Sequence, residues 1–290
     1  MEMRRVNEQC EACLYDRQEH SMQNVSDKEK AKAYLDDIKN ILENRADTDS
    51  APYLVSLFKE KYKEYFGNTS AGFAEKKRKY NDLVMDMIPA LADRIYGSDD
   101  PLKESMFLAR IGNYIDFGAM NHVDEEEFMS LFDDLSVSEQ DEKVYEQFVK
   151  ECKEAHSFLL LADNCGEIVL DVLFLEQMAA KFKDLALYVM VRGEEVLNDV
   201  TMEDAMYVGV HNVAMVIENG NAVAGTVYDL CSDDAKKLID GVDVILAKGQ
   251  GNYESFSGLG RHAYYSFLCK CDLFTKRFDV PKLTGMFISE

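Results

Sequence analysis

The 290-residue chain contains no apolar run of ~18 or more residues, so none of its helices is expected to cross a membrane. Its N-terminal stretch, MEMRRVNEQCEACLYDRQEH, has two arginines but no apolar h-region, and it does not read as a secretory signal. The expectation is a soluble cytoplasmic protein. Basic residues are scarce: 32 Lys and Arg stand against 54 Asp and Glu, for a formal net charge of -22. That deficit disfavours nucleic acid as a partner, because phosphate backbones are held by Lys and Arg, and it disfavours anionic membranes for the same reason. Cysteines number seven, an odd count without secretory context, which argues against a disulfide scaffold. The five histidines form no His-x-x-x-His or similar ligand pair, so a His-rich zinc centre is not expected. No repeat of roughly 20–50 residues and no low-complexity stretch interrupts the chain.

The hydrophobic fraction of 47% is enough for a sizeable core. The acidic balance reads first as a solvated, self-repelling surface. It would oppose the approach of a phosphorylated metabolite, and a local cation would have to reverse the field.

The chain changes character near its middle. Residues 1–155 read as a helical N-terminal region, with apolar residues at helical spacing in Lys28–Asn44, Ala51–Phe66, Ala74–Tyr96, Pro101–Ala109, Glu125–Leu135 and Glu139–Ala155. Ser26 or Asp27 supplies an N-cap, and Pro52 falls in a first turn. The segment from Gly112 to Gly118 interrupts these helices. Residues 156–290 alternate apolar strand-like runs with helical segments: Phe158–Ala162, Ala186–Val191, Val213–Ile217, Val242–Ala247 and Tyr264–Leu268. This alternation implies βαβ units and an α/β domain with a mostly parallel sheet flanked by helices. The first four runs end in polar or Gly-rich residues, which the topology gathers at one edge of the sheet.

The sharpest local pattern is HSFLLLADNCGEIVLD, His156–Asp171. A buried strand ends in Asp163-Asn164, a small turn follows, and Glu167 starts a helix. Oxygen side chains there suit a hard divalent cation, and they equally suit a helix cap. Asn198-Asp199 tips the balance toward ligands. It follows the second strand, while Thr201 and Asp204 form a capping pattern that starts the next helix. Two carboxylates and an amide could then share a cation, leaving room for water and a phosphate oxygen.

Lys248-Gly249-Gln250-Gly251-Asn252 is the third element. Its backbone N–H groups could cradle a phosphate and Lys248 could neutralise it, or the segment is a simple sharp turn. It matches neither the G-x-G-x-x-G nor the P-loop spacing. Cys10-x-x-Cys13, near the start of the first helix, needs further metal ligands, and Cys271 could add a third thiol. Buried apolar cysteine is the simpler reading. Cys165 has acidic neighbours that disfavour a thiolate, so it is not expected to be a nucleophile.

Together these residues resemble the metal-dependent damage-control phosphatases, the domain of unknown function 89 family. The matching motifs are Asp163-Asn164-Cys165-Gly166-Glu167, Asn198-Asp199-Val200-Thr201 and Lys248-Gly249-Gln250-Gly251-Asn252, in order and at strand ends. Gly112-Asn113-x-x-Asp116 looks like a further family motif, and Cys10-x-x-Cys13 with Lys270-Cys271 looks like the prokaryotic branch. The resemblance implies a helical region packed on a Rossmann-like α/β domain. It implies one divalent cation, Mg2+ or Mn2+ or another transition metal such as Co2+ or Ni2+, held by Asp163, Asn164 and Asp199. It also implies hydrolysis of small phosphate monoesters, including sugar phosphates and damaged phosphometabolites.

On this reading Asp163 or Asp199 orients the attacking water. Asn164, Lys248, Gly249, Gly251 and Asn252 hold the phosphoryl group, and Asn113, Asp116 and Arg192 reach toward substrate hydroxyls. A covalent aspartyl-phosphate route is secondary, because the Asp-x-Asp signature of haloacid-dehalogenase phosphatases is absent at Asp163-Asn164-Cys165. Two readings of other classes stand beside it: a non-catalytic module that binds a metal or phosphometabolite, and a thiol metal or redox protein using Cys10, Cys13 and Cys271.

Overall fold

Each early helix starts at a side chain that its own sequence supplies. In the computed structural model, which describes residues 6–67, 73–116, 123–133 and 135–290, Asn7 caps α1 (Glu8–Met22) by accepting the Cys10 N–H at 2.9 Å. Asp27 caps α2 (Lys28–Glu43) and Ser50 caps α3 (Ala51–Phe66), which carries Pro52 in its first turn. These three helices close around Leu14, Tyr34, Ile38, Leu42, Leu54 and Phe58.

The long α4 (Phe73–Gly97) follows, then α5 (Pro101–Ile111), which runs straight into one 3-10 turn, Gly112–Tyr114. The interruption expected at Gly112–Gly118 is thus a tightening of the helix at its near end; Phe117 and Gly118 lie outside the described residues. α6 (Glu125–Asp133) stops short of the expected Leu135, with residue 134 also outside the described set. α7 (Glu139–Glu154) opens on a Ser138–Asp141 capping box.

Six strands form one sheet: β1 (Ser157–Leu161), β2 (Ala186–Val191), β3 (Met215–Glu218), β4 (Val244–Lys248), β5 (Tyr264–Leu268) and β6 (Gly285–Ser289). Their order is β3-β2-β1-β4-β5-β6, all parallel except β6, which pairs antiparallel with β5. Between them run α8 (Glu167–Lys181), α9 (Met202–Tyr207), α10 (Asp233–Gly241), α11 (Gly249–Phe256) and α12 (Asp272–Phe278).

Strand side chains alternate between two cores. Phe158, Leu160, Val189, Val191 and Leu246 face the side of Phe107, Phe148 and Phe174, whereas Leu159, Leu161, Met190 and Ile245 face the side of Ala235, Phe256 and Phe274. The first core therefore draws on both halves of the chain. The border near residue 155 marks where strands begin, and the hydrophobic packing runs across it. Among the described residues no helix is long and apolar enough to cross a membrane.

The chain winds from β1 to β2 and β3 in one direction, then crosses back to β4 and β5 in the other. The carboxyl ends of β1 and β4 flank that reversal, the place where open α/β sheets leave a crevice for ligands.

Candidate active site

Backbone hydrogen bonds stitch the two expected ligand segments together. Beyond β1, Asp163 O accepts from Val200 N at 2.9 Å and Cys165 N donates to Asn198 O at 2.8 Å; Arg192 N donates to Val200 O at 2.8 Å. Asn164 and Asp199 form an isolated antiparallel bridge. Asp163 and Asn164 do not cap α8: its N-cap is Gly166, at φ +84°, with no side-chain cap. The Gly166 N–H instead donates to Asn81 Oδ1 of α4 at 2.6 Å. Thr201 and Asp204 do form the expected capping box at the start of α9.

The side chains then converge. Asp163 Oδ2 accepts from Asn113 Nδ2 at 2.9 Å and from Asn164 Nδ2 at 2.6 Å. Asp163 Oδ1 lies 3.6 Å from an Arg192 nitrogen, and Arg192 Nε donates to Asp199 Oδ2 at 2.7 Å. All of these residues are buried. Burial and the charges of Asp199, Glu167 and Asp116 hold the Asp163 carboxyl well above the usual carboxylate range, against the pull of Arg192. Asp199 is pushed up to about 6 by burial, which Arg192 partly offsets. Two buried carboxylates that oppose each other's ionisation, plus an adjacent amide oxygen on the same stitched loops, are a donor set suited to a hard cation. Among the described residues no group of three or more His, Cys, Asp or Glu side chains is placed to hold a metal ion; this set has two carboxylates and an amide.

The Lys248–Asn252 segment differs from the expected loop. Lys248 is the N-cap of α11, and Gly249 to Asn252 make that helix's first turn. Gly249 sits at φ +78°, and a Cβ there would fall 1.8 Å from Asp163 Oδ2, so only glycine leaves space for the carboxylate. The Lys248 ammonium is enclosed behind the strand ends. It pairs with Asp171 Oδ1, lies 2.8 Å from Glu167 Oε1 and donates to Ala109 O at 3.2 Å. Burial works against its charge, but Asp171 and Glu167 outweigh burial and hold it up at about 12. Lys248 was expected to meet a phosphate; its three donors are directed at these protein oxygens.

Asn252 is likewise engaged with the scaffold. Its Nδ2 donates to Lys248 O at 2.7 Å, Ala162 O at 3.1 Å and Leu161 O at 3.4 Å, and its Oδ1 accepts from Thr226 Oγ1 at 2.8 Å. Gly251 passes Ala224 O so closely that a Cβ would lie 2.5 Å from it. Asn113 is brought in from the helical half: besides Asp163, its Nδ2 donates to Glu167 Oε2 at 3.2 Å and its Oδ1 accepts from Leu268 N at 3.0 Å. Asp116 stands at the rim, paired with the buried Lys270 at 2.6 Å.

Several members of this cluster escaped sequence reasoning. Glu167 was visible only as the last residue of a motif, and Asp171 lies one helical turn beyond it, on the face that meets Lys248. Asn81 carried no local signal, and Lys270 was visible only beside Cys271, with nothing to link it to Asp116. Cys10, Cys13 and Cys271 are unbridged, and Gln250 Nε2 donates to Cys271 Sγ at 3.4 Å. Burial drives the Cys165 thiol far up, in line with the expectation that it is no nucleophile. A hollow of about 750 Å³ beside α4 and α6 shares no residue with the cluster.

Comparison with known proteins places the chain in a family and a fold. The family profile described as "Damage-control phosphatase ARMT1-like domain" matches residues 6–284. A damage-control phosphatase of Archaeoglobus fulgidus is 28% identical over 275 residues, covering 92% of this chain and 93% of that protein. A damage-control phosphatase of Pyrococcus horikoshii is 28% identical over 230 residues, covering 78% and 76%. A crystal structure of a P. horikoshii protein of the domain of unknown function 89 family has the same fold, with a TM-score of 0.77 over 97% of each chain at 24% identity.

Proposed function

We propose, from the premise that the chain belongs to the damage-control phosphatase ARMT1-like family, that it is a divalent-metal-dependent phosphatase acting on small phosphate monoesters, sugar phosphates or damaged phosphometabolites. The observation that carries this reading is the stitching of Asp163-Asn164 to Asp199 at the sheet's reversal point, with Arg192 the cation between the two carboxylates.

Asp163, Asn164 and Asp199 would hold Mg2+ or Mn2+, with Co2+ or Ni2+ as substitutes. When bound, such a cation neutralises charge on the phosphoryl oxygens of a loose transition state. The chain's own residues prepare that position. Asn113 and Asn164 direct two amide N–H groups at Asp163 Oδ2 and so fix the carboxylate's orientation. Arg192 does the same for Asp199 Oδ2. Each carboxylate thus has one oxygen committed to the scaffold, and the other would be the one to hold the cation or orient water. Behind them, Lys248 neutralises Glu167 and Asp171, which would otherwise add to the repulsion around Asp163. Gly249 keeps the approach to Asp163 clear.

The test is hydrolysis of a panel of sugar phosphates and other small phosphate esters with Mg2+, Mn2+, Co2+ or Ni2+, alongside Asp163→Asn. Metal-dependent turnover that falls by at least about 100-fold in the variant supports the reading, the scale of one well-placed electrostatic group. Cation binding without turnover of any ester would favour a binding module instead, and full activity in Asp163→Asn would remove the assignment.

A further inference from the structure

With Lys248 directed at Glu167 and Asp171, and the Asn252 amide at three carbonyls, the phosphoryl group needs other donors. Among the described residues, two buried side-chain nitrogens have no hydrogen-bond partner: Arg192 NH1 and Asn219 Nδ2. Both residues are at least nine-tenths buried, at 1% and 0% exposure. A buried donor without an acceptor is costly, so two at the ends of paired strands call for an explanation.

They are neighbours by register. β2 and β3 pair up to Val191 and Glu218, and Asn219 N then donates to Val191 O at 2.8 Å. Asn219 Oδ1 accepts from Gly193 N at 2.9 Å and Asn221 N at 3.0 Å, which fixes its amide beside the Arg192–Gly193 peptide. With Oδ1 so held, Nδ2 is the part of the side chain left over. Leu161 and Met190 face one core, and two residues further along the same alternation stand Asp163 and Arg192, in contact at 3.6 Å. Arg192 therefore adjoins the proposed cation ligands, and Asn219 follows the β3 residue paired with Val191. Both groups donate and neither accepts, and one is a guanidinium, whose fork matches phosphate geometry.

We propose that Arg192 NH1 and Asn219 Nδ2 form the subsite for the phosphoryl oxygens. This rests on the phosphatase reading and assigns its phosphate-holding role to the ends of β2 and β3. A cation held by Asp163 and Asp199 would take over part of the charge that Arg192 balances, and the guanidinium would then be free to face an anion.

The test is calorimetric binding of inorganic phosphate to the full chain in saturating Mg2+, compared with Asn219→Asp and Arg192→Lys. Asn219→Asp keeps the Oδ1 acceptor for Gly193 and Asn221 but exchanges the donor for an anionic oxygen, so the neutral Asn219→Ser is measured beside it and must lose affinity as well; Arg192→Lys keeps the charge and removes the fork. The phosphate Kd is expected to weaken by about tenfold or more in each, the scale of one charge-assisted hydrogen bond. The Mg2+ Kd of the neutral Asn219→Ser without phosphate should stay within about threefold of the parent, well under that scale. Unchanged phosphate affinity in either Asn219 variant, or no phosphate binding by the parent, would overturn the proposal and leave the two donors to internal water. Should Arg192→Lys fail to fold, the two Asn219 variants decide alone. Phosphate bound by the parent and lost in the variants, with no ester turned over, would instead overturn the phosphatase reading and keep the subsite.

Discussion

The space between Gly249 and the Asp163 carboxylate is set by one missing methyl group. A Cβ at Gly249 would lie 1.8 Å from Asp163 Oδ2, and the residue also sits at φ +78°. Gly249→Ala must therefore either push Asp163 aside or move α11 away from β1. The backbone strain alone is on the order of 1–3 kcal/mol. Activity should fall further than stability, because the group displaced is the one the chemistry uses; kcat and the melting temperature of the same preparation check this, and a variant with wild-type kcat would remove Asp163 from that role.

A second residue on α11 carries a pH signature. Burial pushes the Glu254 carboxyl from its ordinary 4.5 up to about 7, against the lowering effect of its hydrogen bond from Gln250. A carboxyl with a raised folded pKa binds its proton more tightly in the native state than in the unfolded chain. Stability is then undiminished below about 4.5 and declines as pH rises toward about 7. Glu254→Gln should flatten that decline and melt higher than the parent at neutral pH. Equal slopes of melting temperature against pH in the two proteins would refute the assignment.

At the scale of elements, α11 is the piece whose placement matters most, and one side chain ties its start to two strands. Asn252 joins the carbonyls of Leu161, Ala162 and Lys248, so it fastens the helix start to the ends of both β1 and β4. Asn252→Ala is expected to cost about 2–3 kcal/mol, several buried hydrogen bonds at about 1 kcal/mol each with carbonyls left unpaired. Chemical denaturation should show it, and a change under about 0.5 kcal/mol, the usual surface scale, would mean the tie is dispensable.

The sequence was most legible where an element states its own ends. Ala51–Phe66 has Ser50 and Pro52 at its start and Gly67 at its close, and it folds over the expected residues. Ala186–Val191 and Tyr264–Leu268 are dense β-forming runs and match as well. α11 was illegible as a helix because Gly249 and Gly251 depress helix propensity; the glycines are there for Asp163 and for Ala224 O, contacts that no local pattern reveals. β6 was missed for a similar reason: only Phe287 of Gly285–Ser289 is buried, and its antiparallel partner β5 is fixed by the tertiary fold. Lys248 shows the same limit within the site. Its neighbours in sequence suggest a phosphate cradle, while its contacts come from α8, where Glu167 and Asp171 stand four apart on one face.

For the whole molecule the governing quantity is a net charge of -22 around a site proposed to receive a phosphate dianion. Two fields compete. The distant surface carboxylates repel the substrate over long range, whereas Arg192 and any bound cation attract it only within the crevice. Inert salt separates the two, because the Debye length shrinks from about 30 Å at 10 mM to about 10 Å at 100 mM. Screening removes the long-range repulsion first and leaves close, buried interactions nearly intact. With the activating cation kept saturating, adding KCl over that range should raise kcat/KM for a dianionic ester by about a few-fold, within the span of electrostatic steering effects, and leave kcat unchanged. A fall in kcat/KM with salt would show that a positive local field already dominates at the crevice mouth. The acidic surface would then act on solubility alone, with no part in how substrate arrives.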